Sequence, residues 1–500
     1  MKCTDAHKLL ILAGVVAWVI SPVVALAQES SWSVDVDFAQ ALKQMNPAYA
    51  SASVNNPAAM LQDEAFDQAV KSLGFRMMRF QGPIYHDYKT PFAEEEFQEL
   101  DAAVAKAHDV WGVQDLMFGI HRISLPMDGD GKLIREDFSL YAARCAELVQ
   151  RYASPGNVQV RYWEPFNELD NKLDQYDDAV DLYIQCAQAM KAVNPDIKVG
   201  GPSLCSAGKT NELEKLIEGT PHILPDFVSW HDYATGNAGA SDASVLRTLD
   251  NSVHFAGGAN RVQDVLNSYW WWPLIGRPDP GDIPQFMDEY HVNWAAGSPP
   301  DERVATEFGA VFAASVLARM SESPVERTFI HDVNIKHYGL VGQASEDRFG
   351  PGESDPDGIR VRPIGWVYRW FNQYVGGEWV SCDALLPEAD LTSDRGPLLE
   401  SCAWINDEHG VVMLVNKDIN PHDVEISLGN VLEEFASFPW RVMTIAGDQP
   451  EDTQFVYTQD GQLALLLPEM SVTFLVVPEP TSLVLLGIGG ALGVFGRRRK

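Results

Sequence analysis

An α/β architecture, a (β/α)8 barrel followed by a β-sandwich, is predicted by three features of the sequence. Short apolar runs alternate with helical stretches of about 10–15 residues, which argues for a parallel sheet with helical crossovers. Eight such runs can be placed, which favours a closed barrel over an open sheet. After Trp366 the alternation gives way to short strand-like pieces separated by turns, the pattern of a second, all-β unit.

In chain order, residues 1–27 read as a signal peptide. Lys2 and Lys8 flank a short polar start, Leu9 to Ile20 is almost wholly apolar, and Ala25-Leu26-Ala27 is a small-x-small cleavage site. The barrel is expected over residues 28–375. Its strands are placed within Ala48 to Val54 and at Gly74 to Phe80, Leu116 to Ile120, Val158 to Tyr162, Ile197 to Gly200, Phe227 to Trp230, Phe286-Met287 and Thr328 to Ile330. The alternating run Trp32 to Asp37 is a candidate strand of the sandwich instead. Residues 376–477 are expected to form that sandwich, with strands at Glu378 to Ser381, Cys402 to Ile405, Gly410 to Asn416, Asp423 to Ser427, Trp440 to Thr444, Ala464 to Leu467 and Ser471 to Val477.

Residues 478–500 form a second address. Pro478-Glu479-Pro480 leads into an apolar stretch from Ser482 to Gly496, closed by Arg497-Arg498-Arg499-Lys500. At ~1.5 Å per residue this stretch spans about 22 Å, short of the ~30 Å hydrocarbon core, so a temporary anchor fits better than a permanent one. The three-part pattern resembles the PEP-CTERM sorting signals of Gram-negative bacteria. That resemblance implies an exported protein of the cell envelope or medium, held transiently in the inner membrane, with a sortase-like processing enzyme as partner.

The formal charge is −33, and both terminal segments are net basic, so the chain between them is more acidic still. Such a surface argues against nucleic acid as a partner and against polyanionic substrates gathered by bulk attraction. With Cys3 lost in the signal, Cys145, Cys186, Cys205, Cys382 and Cys402 remain, without CxxC or Cys/His metal spacing. One disulfide between Cys382 and Cys402, or free buried thiols throughout, are both open.

Two carboxylates stand where barrel chemistry is built, at the C-terminal ends of strands. Tyr162-Trp163-Glu164-Pro165-Phe166-Asn167-Glu168 ends the fourth strand, and Pro284-Gln285-Phe286-Met287-Asp288-Glu289-Tyr290 the seventh. Two glutamates facing each other across the mouth can flank one glycosidic bond. Glu168 would be the acid/base and Glu289 the nucleophile of a retaining hydrolase, and the Asn167 amide would bind the sugar 2-hydroxyl. Strand alternation makes Glu164 an in-strand residue and sends Asp288 to the side opposite Glu289.

Residues 30–477 resemble clan A glycoside hydrolases, and most closely family 39, which includes β-xylosidases and α-L-iduronidases. The resemblance is carried by Met78-Arg79-Phe80 with Tyr85, His86 and Asp87, by Trp163 to Glu168, by Asp226 to Tyr233, by Asp288 to Trp294, and by the ending Leu467 to Thr473. Leu169 departs from the family's usual proline after the acid/base Glu. The resemblance implies an oligo- or polysaccharide substrate, a xyloside or related plant or algal glycan. It also implies that Arg79 holds the nucleophile carboxylate and that His231 and Tyr233 reach the site from strand six.

His121, ending the third strand, and Trp294, an aromatic face for a sugar ring, complete the substrate-binding candidates. Trp270-Trp271-Trp272 is divided between wall packing and a substrate-stacking loop. Glu353, Asp355 and Asp357 have the opening spacing of a calcium loop, but its closing position falls at Ile364, so a solvated acidic loop is expected. No cofactor and no metal site is expected. The rival readings are a catalytically silent glycan-binding or envelope protein on the same barrel, and a metal-dependent barrel hydrolase.

Overall fold

The computed structural model describes residues 31–477 except 63, 122, 174–175, 296–300, 334–337, 344–357, 432–437 and 448. The signal peptide, the terminal sorting segment and the acidic run Glu353, Asp355 and Asp357 lie outside the described residues.

Parallel strands close into a barrel: Ala50–Asn55, Met77–Gln81, Asp115–Gly119, Tyr162–Glu164, the pair Lys198–Val199 and Gly201–Leu204, Val228–Thr235, Gln285–Asn293 and Val325–His331. The fifth strand is one segment in two pieces. Lys198–Val199 pairs with the fourth strand and Gly201–Leu204 with the sixth, and this closes the ring. Gly200 stands at the break because a Cβ there would lie 2.5 Å from the Phe227 ring. Only a residue without a side chain lets the two segments approach so closely.

The fourth strand differs from expectation. Asn157–Val158 pairs with Ala153–Ser154 in a small hairpin, and the barrel strand proper is Tyr162–Glu164. The alternating run that leads to Tyr162 is the approach to the barrel, and the strand itself turns Glu164 inward.

Because strand side chains alternate, the barrel interior is built in layers. The lower layer is apolar: Met77, Met117, Tyr162, Phe227, Phe286 and Phe329. Two residues further along the same strands stand Arg79, Gly119, Glu164, Ser229, Asp288 and His331. The interior thus changes from apolar to charged in one step toward the C-terminal mouth. Gly119 is small because Arg79 occupies its space: a Cβ would sit 2.8 Å from Arg79 Nη2.

The second sheet is ordered Gln449–Val456, Trp440–Ala446, Ser471–Val477, Gly410–Asn416, Leu399–Ile405, Glu378–Leu385, Trp32–Gln44, His422–Gly429 and Gln462–Leu467. It is one hydrogen-bonded sheet that curls over its own inner face, with Trp32–Gln44 parallel to His422–Gly429 and the other pairs antiparallel. Val34, Val36 and Ile426 on one limb share a core with Val412, Leu414 and Leu475 on the other. The opposite face, with Trp404, Met413 and Phe474, packs on the barrel helices. Helix Glu307–Ser321, caught between barrel and sheet, is buried almost all round, so its sequence is apolar rather than amphipathic. Cys382 and Cys402 are free thiols, as are Cys145, Cys186 and Cys205. No helix among the described residues is long and apolar enough to cross a membrane.

Candidate active site

Strand seven sends two successive carboxylates inward, contrary to the alternation expected for Asp288. Trp230 pairs with Met287 and His231 with Glu289, so one residue is skipped, and the strand-eight side is irregular over the same span. This bulge leaves Asp288 in phase with Phe286 and brings Glu289 opposite His231. Both reach Arg79, whose Nε is 3.1 Å from Asp288 Oδ2 and whose Nη1 is 3.4 Å from Glu289 Oε2.

Arg79 is fully buried, and its tightest carboxylate is Glu164, at 2.8 Å from Nε. Its Nη2 donates to Asn167 Oδ1 at 2.7 Å and to Ser203 Oγ at 2.9 Å. The expected contact with Glu289 is therefore present but is the longest of three ion pairs. One guanidinium cannot neutralise three carboxylates. Burial and the neighbouring Asp288 push Glu164 up to about 8 against the pull of Arg79. Burial acts on Asp288 too, but Arg79 and His231 outweigh it and hold that group below its ordinary value.

Glu289 lies in a cradle of donors. Gln81 Nε2 donates to Oε2 at 2.7 Å, and the Tyr233 hydroxyl donates to Oε1. Burial alone would raise its pKa; the charges of His231, His331 and Arg79 and the Tyr233 hydrogen bond bring it down to about 2. Glu168 is held differently. Its backbone is left-handed, φ 52°, at the start of the turn Leu169–Asn171, and its N–H donates to Ser203 O at 3.0 Å. That strained position swings the side chain to the mouth, where it is 28% exposed and where Oε1 lies 2.7 Å from His231 Nδ1. His231 itself is buried, with Nε2 3.8 Å from Glu289 Oε2. Burial disfavours its charge, yet Glu289 and Asp288 raise its pKa well above the ordinary histidine value.

The residues expected from the sequence thus separate into two groups. Glu168, Glu289, Arg79, Asn167, His231 and Tyr233 converge in one cluster. His121, half-buried after the third strand, and Trp294, 65% exposed after the seventh, stand outside the contacts described above. Trp294 rests on Gly236, where a Cβ would meet the indole at 2.3 Å. The tryptophan run is elsewhere. It joins helix Phe255–Asn267 to the N-terminal start of strand seven, so it lies at the end of the barrel away from the cluster and is no substrate-stacking loop for this site. Gln81, Ser203, Ser229 and His331 belong to the site and were not among its expected residues, and Glu164 and Asp288, near competitors set aside in favour of Glu168 and Glu289, belong to it too. Alternation onward from Arg79 points to Gln81, and the bulge conceals Asp288.

The barrel with a carboxylate-lined mouth defines the class of protein, and comparison with known proteins agrees. Residues 138–330 match the family described as glycosyl hydrolases family 39, a span holding both Glu168 and Glu289. Residues 476–500 match the PEP-CTERM protein-sorting motif, which suggests export and sorting at the envelope. Over residues 138–330 the protein is similar to the glycosyl hydrolases of family 39, which supports a glycosidase, and it ends in a PEP-CTERM-type sorting motif.

No curated protein matches the chain. Among solved structures, a family 51 α-L-arabinofuranosidase from Bifidobacterium longum is similar at 14% identity and a TM-score of 0.65, over 90% of this chain and 100% of that one. A monomeric β-xylosidase from Caulobacter crescentus is similar at 16% identity and a TM-score of 0.59, over 90% and 99%. A family 30 subfamily 8 xylanase from Clostridium acetobutylicum is similar at 13% identity and 0.59, over 89% and 99%. At these identities the likeness is one of fold.

Proposed function

We propose that the protein is a retaining O-glycoside hydrolase in which Glu289 is the nucleophile and Glu168 the acid/base. The observation that carries this reading is the contrast between the two glutamates. Glu289 is buried among donors and cations that keep it ionised, the state a nucleophile needs. Glu168 is partly exposed and bonded to a histidine that also approaches Glu289. Retention calls for carboxyl groups about 5–5.5 Å apart, so that one can attack while the other protonates.

In the first step Glu289 attacks the anomeric carbon while Glu168 protonates the departing glycosidic oxygen. In the second, Glu168 takes a proton from water, which releases the sugar from Glu289. Arg79 donates to Asn167 Oδ1, which leaves the amide N–H groups of Asn167 to face the sugar 2-hydroxyl. Trp294 offers an indole face at the rim, and His121 a further polar contact.

The substrate is a neutral pentoside of a plant or algal glycan, of the xyloside or arabinofuranoside type. The similar structures named above, which act on arabinofuranosides, xylans and xylosides, support that class, as does the strongly acidic surface. The C-terminal segment would hold the exported chain at the inner membrane until a sortase-like enzyme processes it.

The test is hydrolysis of aryl xylosides, aryl arabinofuranosides and plant and algal polysaccharides, with Glu289→Gln and Glu168→Gln measured beside the native protein. Glu289→Gln is expected to lower kcat by ~10³-fold or more, and the first product released should keep the anomeric configuration of the substrate. An active Glu289→Gln enzyme, or inversion, overturns the assignment. Glycan binding without turnover in the native protein would point to a silent binder.

A further inference from the structure

Four polar groups converge on one hydroxyl that the two-step scheme leaves idle. Ser203, in the left-handed region at φ 54°, lies in the second piece of strand five, Gly201–Leu204. Its Oγ lies 2.9 Å from Arg79 Nη2, 2.9 Å from Asn167 Oδ1, 2.8 Å from His231 Nε2 and 3.0 Å from Asp288 Oδ2. A hydroxyl has one proton to give and two lone pairs to receive. Arg79 can only donate to it, and Asn167 Oδ1 and Asp288 Oδ2 can only accept from it. The remaining lone pair faces His231 Nε2, which therefore carries a hydrogen.

The surroundings require the same. Asp288 Oδ2 is 3.5 Å and Glu289 Oε2 3.8 Å from that nitrogen. A bare nitrogen lone pair there would face oxygen lone pairs. With Nε2 protonated in every state, the contact between His231 Nδ1 and Glu168 Oε1, at 2.7 Å, has room for one proton. The charged and titratable groups of the cluster come from every side of the ring: Arg79 on strand two, Glu164 and Glu168 on and after strand four, Tyr233 on its own strand, Asp288 and Glu289 on strand seven, and His331 on strand eight.

We propose that Asp288, acting through Ser203 and His231, is a positioning residue that sets how tightly Glu168 and His231 hold one shared proton. When that proton moves from carboxyl to ring, the Oε1–H bond breaks with its electron pair left on oxygen. An Nδ1–H bond forms from the ring lone pair, giving carboxylate and imidazolium with no other reactant. With the proton on oxygen Glu168 is the acid of the first step; without it, the base of the second. The Asp288 carboxylate stabilises the imidazolium form and so raises the proton affinity of the pair. The high pKa of His231, which Glu289 and Asp288 sustain against burial, agrees with this arrangement. The proposal rests on Glu168 being the acid/base.

The first readout needs no substrate. In the full-length protein labelled at histidine, with the His231 signal identified by its loss in His231→Gln, Asp288→Asn should lower the pH at which the ring loses its Nδ1 proton by a unit or more. Ser203→Ala should shift it in the same direction and stands in if Asp288→Asn does not fold. The second readout is the alkaline limb of kcat/KM. It should move to lower pH by a like amount on methyl xyloside, and much less on dinitrophenyl xyloside, whose departure needs little proton assistance. An unmoved His231 titration in a folded Asp288→Asn protein overturns the proposal. If Glu168→Gln abolishes methyl xyloside hydrolysis in that case, the acid/base assignment stands and the role of Asp288 alone is lost. If Glu168→Gln turns over normally, the assignment beneath it has failed as well.

Discussion

Two buried ionic clusters, each built around one arginine, sit at different places in the molecule and are balanced differently. At the barrel mouth Arg79 meets Glu164, Asp288 and Glu289, with His231 beside them. At the junction of barrel and second sheet Arg319 meets Glu400 and Asp250, and Lys417 adds a second cation on Glu400. The junction thus pairs two cations with two anions, and the charges hold one another: Glu400 resists burial and stays at about 2 because Arg319 and Lys417 lie against it. The mouth has more carboxylates than cations, and one of them, Glu164, is pushed up to about 8. A balanced cluster fixes two surfaces together. An unbalanced one keeps a proton at hand near neutral pH, which suits acid–base chemistry.

The comparison is broken most severely at Arg79. Arg79→Met leaves three carboxylates without their guanidinium, and removing one member of a buried ion pair costs about 3–5 kcal/mol. Chemical denaturation should show that loss at pH 8 and a smaller one at pH 5, where the carboxylates can take up protons instead. Hydrolytic activity should fall with it, since Glu289 loses one of the charges that keep it ionised. Equal destabilisation at both pH values would mean that Arg79 contributes packing rather than charge.

At the junction, Glu400→Gln leaves Arg319 and Lys417 with Asp250 alone. The cost is expected to be about 3 kcal/mol, with the site chemistry unaffected. Glu400 falls from an ordinary 4.5 to about 2 on folding, so its contribution is complete above pH 4.5 and is lost as pH drops toward 2. Native and variant stabilities should accordingly converge below pH 4. A gap that persists at pH 2.5 would show that the carboxylate charge is not what Glu400 supplies.

The barrel was legible because its strands are buried on both faces and read as apolar runs between amphipathic helices. The second sheet was legible wherever one face met the core. Gln449–Val456 escaped notice: it is an edge strand, polar and carrying Pro450, so neither alternation nor strand propensity marks it. At the site, Glu168, Glu289, Arg79, Asn167, His231 and Tyr233 could be named from motif and position. Asp288 could not be oriented, because a bulge is a property of two paired strands and leaves no period in one of them. Ser203 gave no signal at all. Its importance comes from where strand five breaks, which brings a common residue into contact with four others.

The finest test of the contrast is Glu164→Gln, because it asks whether the surplus carboxylate at the mouth is neutral near pH 7. Glu164 Oε1 accepts from Ser229 Oγ at 2.5 Å and Oε2 from Arg79 Nε at 2.8 Å. A glutamine of the same shape keeps the second contact through its carbonyl, and the serine hydroxyl can turn to accept from the amide. A carboxyl raised to about 8 on folding from an ordinary 4.5 is unfavourable once it ionises, so the native protein loses stability as pH climbs through that window. Glutamine has no proton to lose. The variant should therefore lie within ~1 kcal/mol of the native protein at pH 6 and gain on it steadily toward pH 8.5, as measured by denaturant midpoints. If the variant instead falls several kcal/mol below the native protein across the whole range, Glu164 is ionised and Arg79 needs its charge. The surplus proton of the mouth would then have to reside on another of its carboxylates.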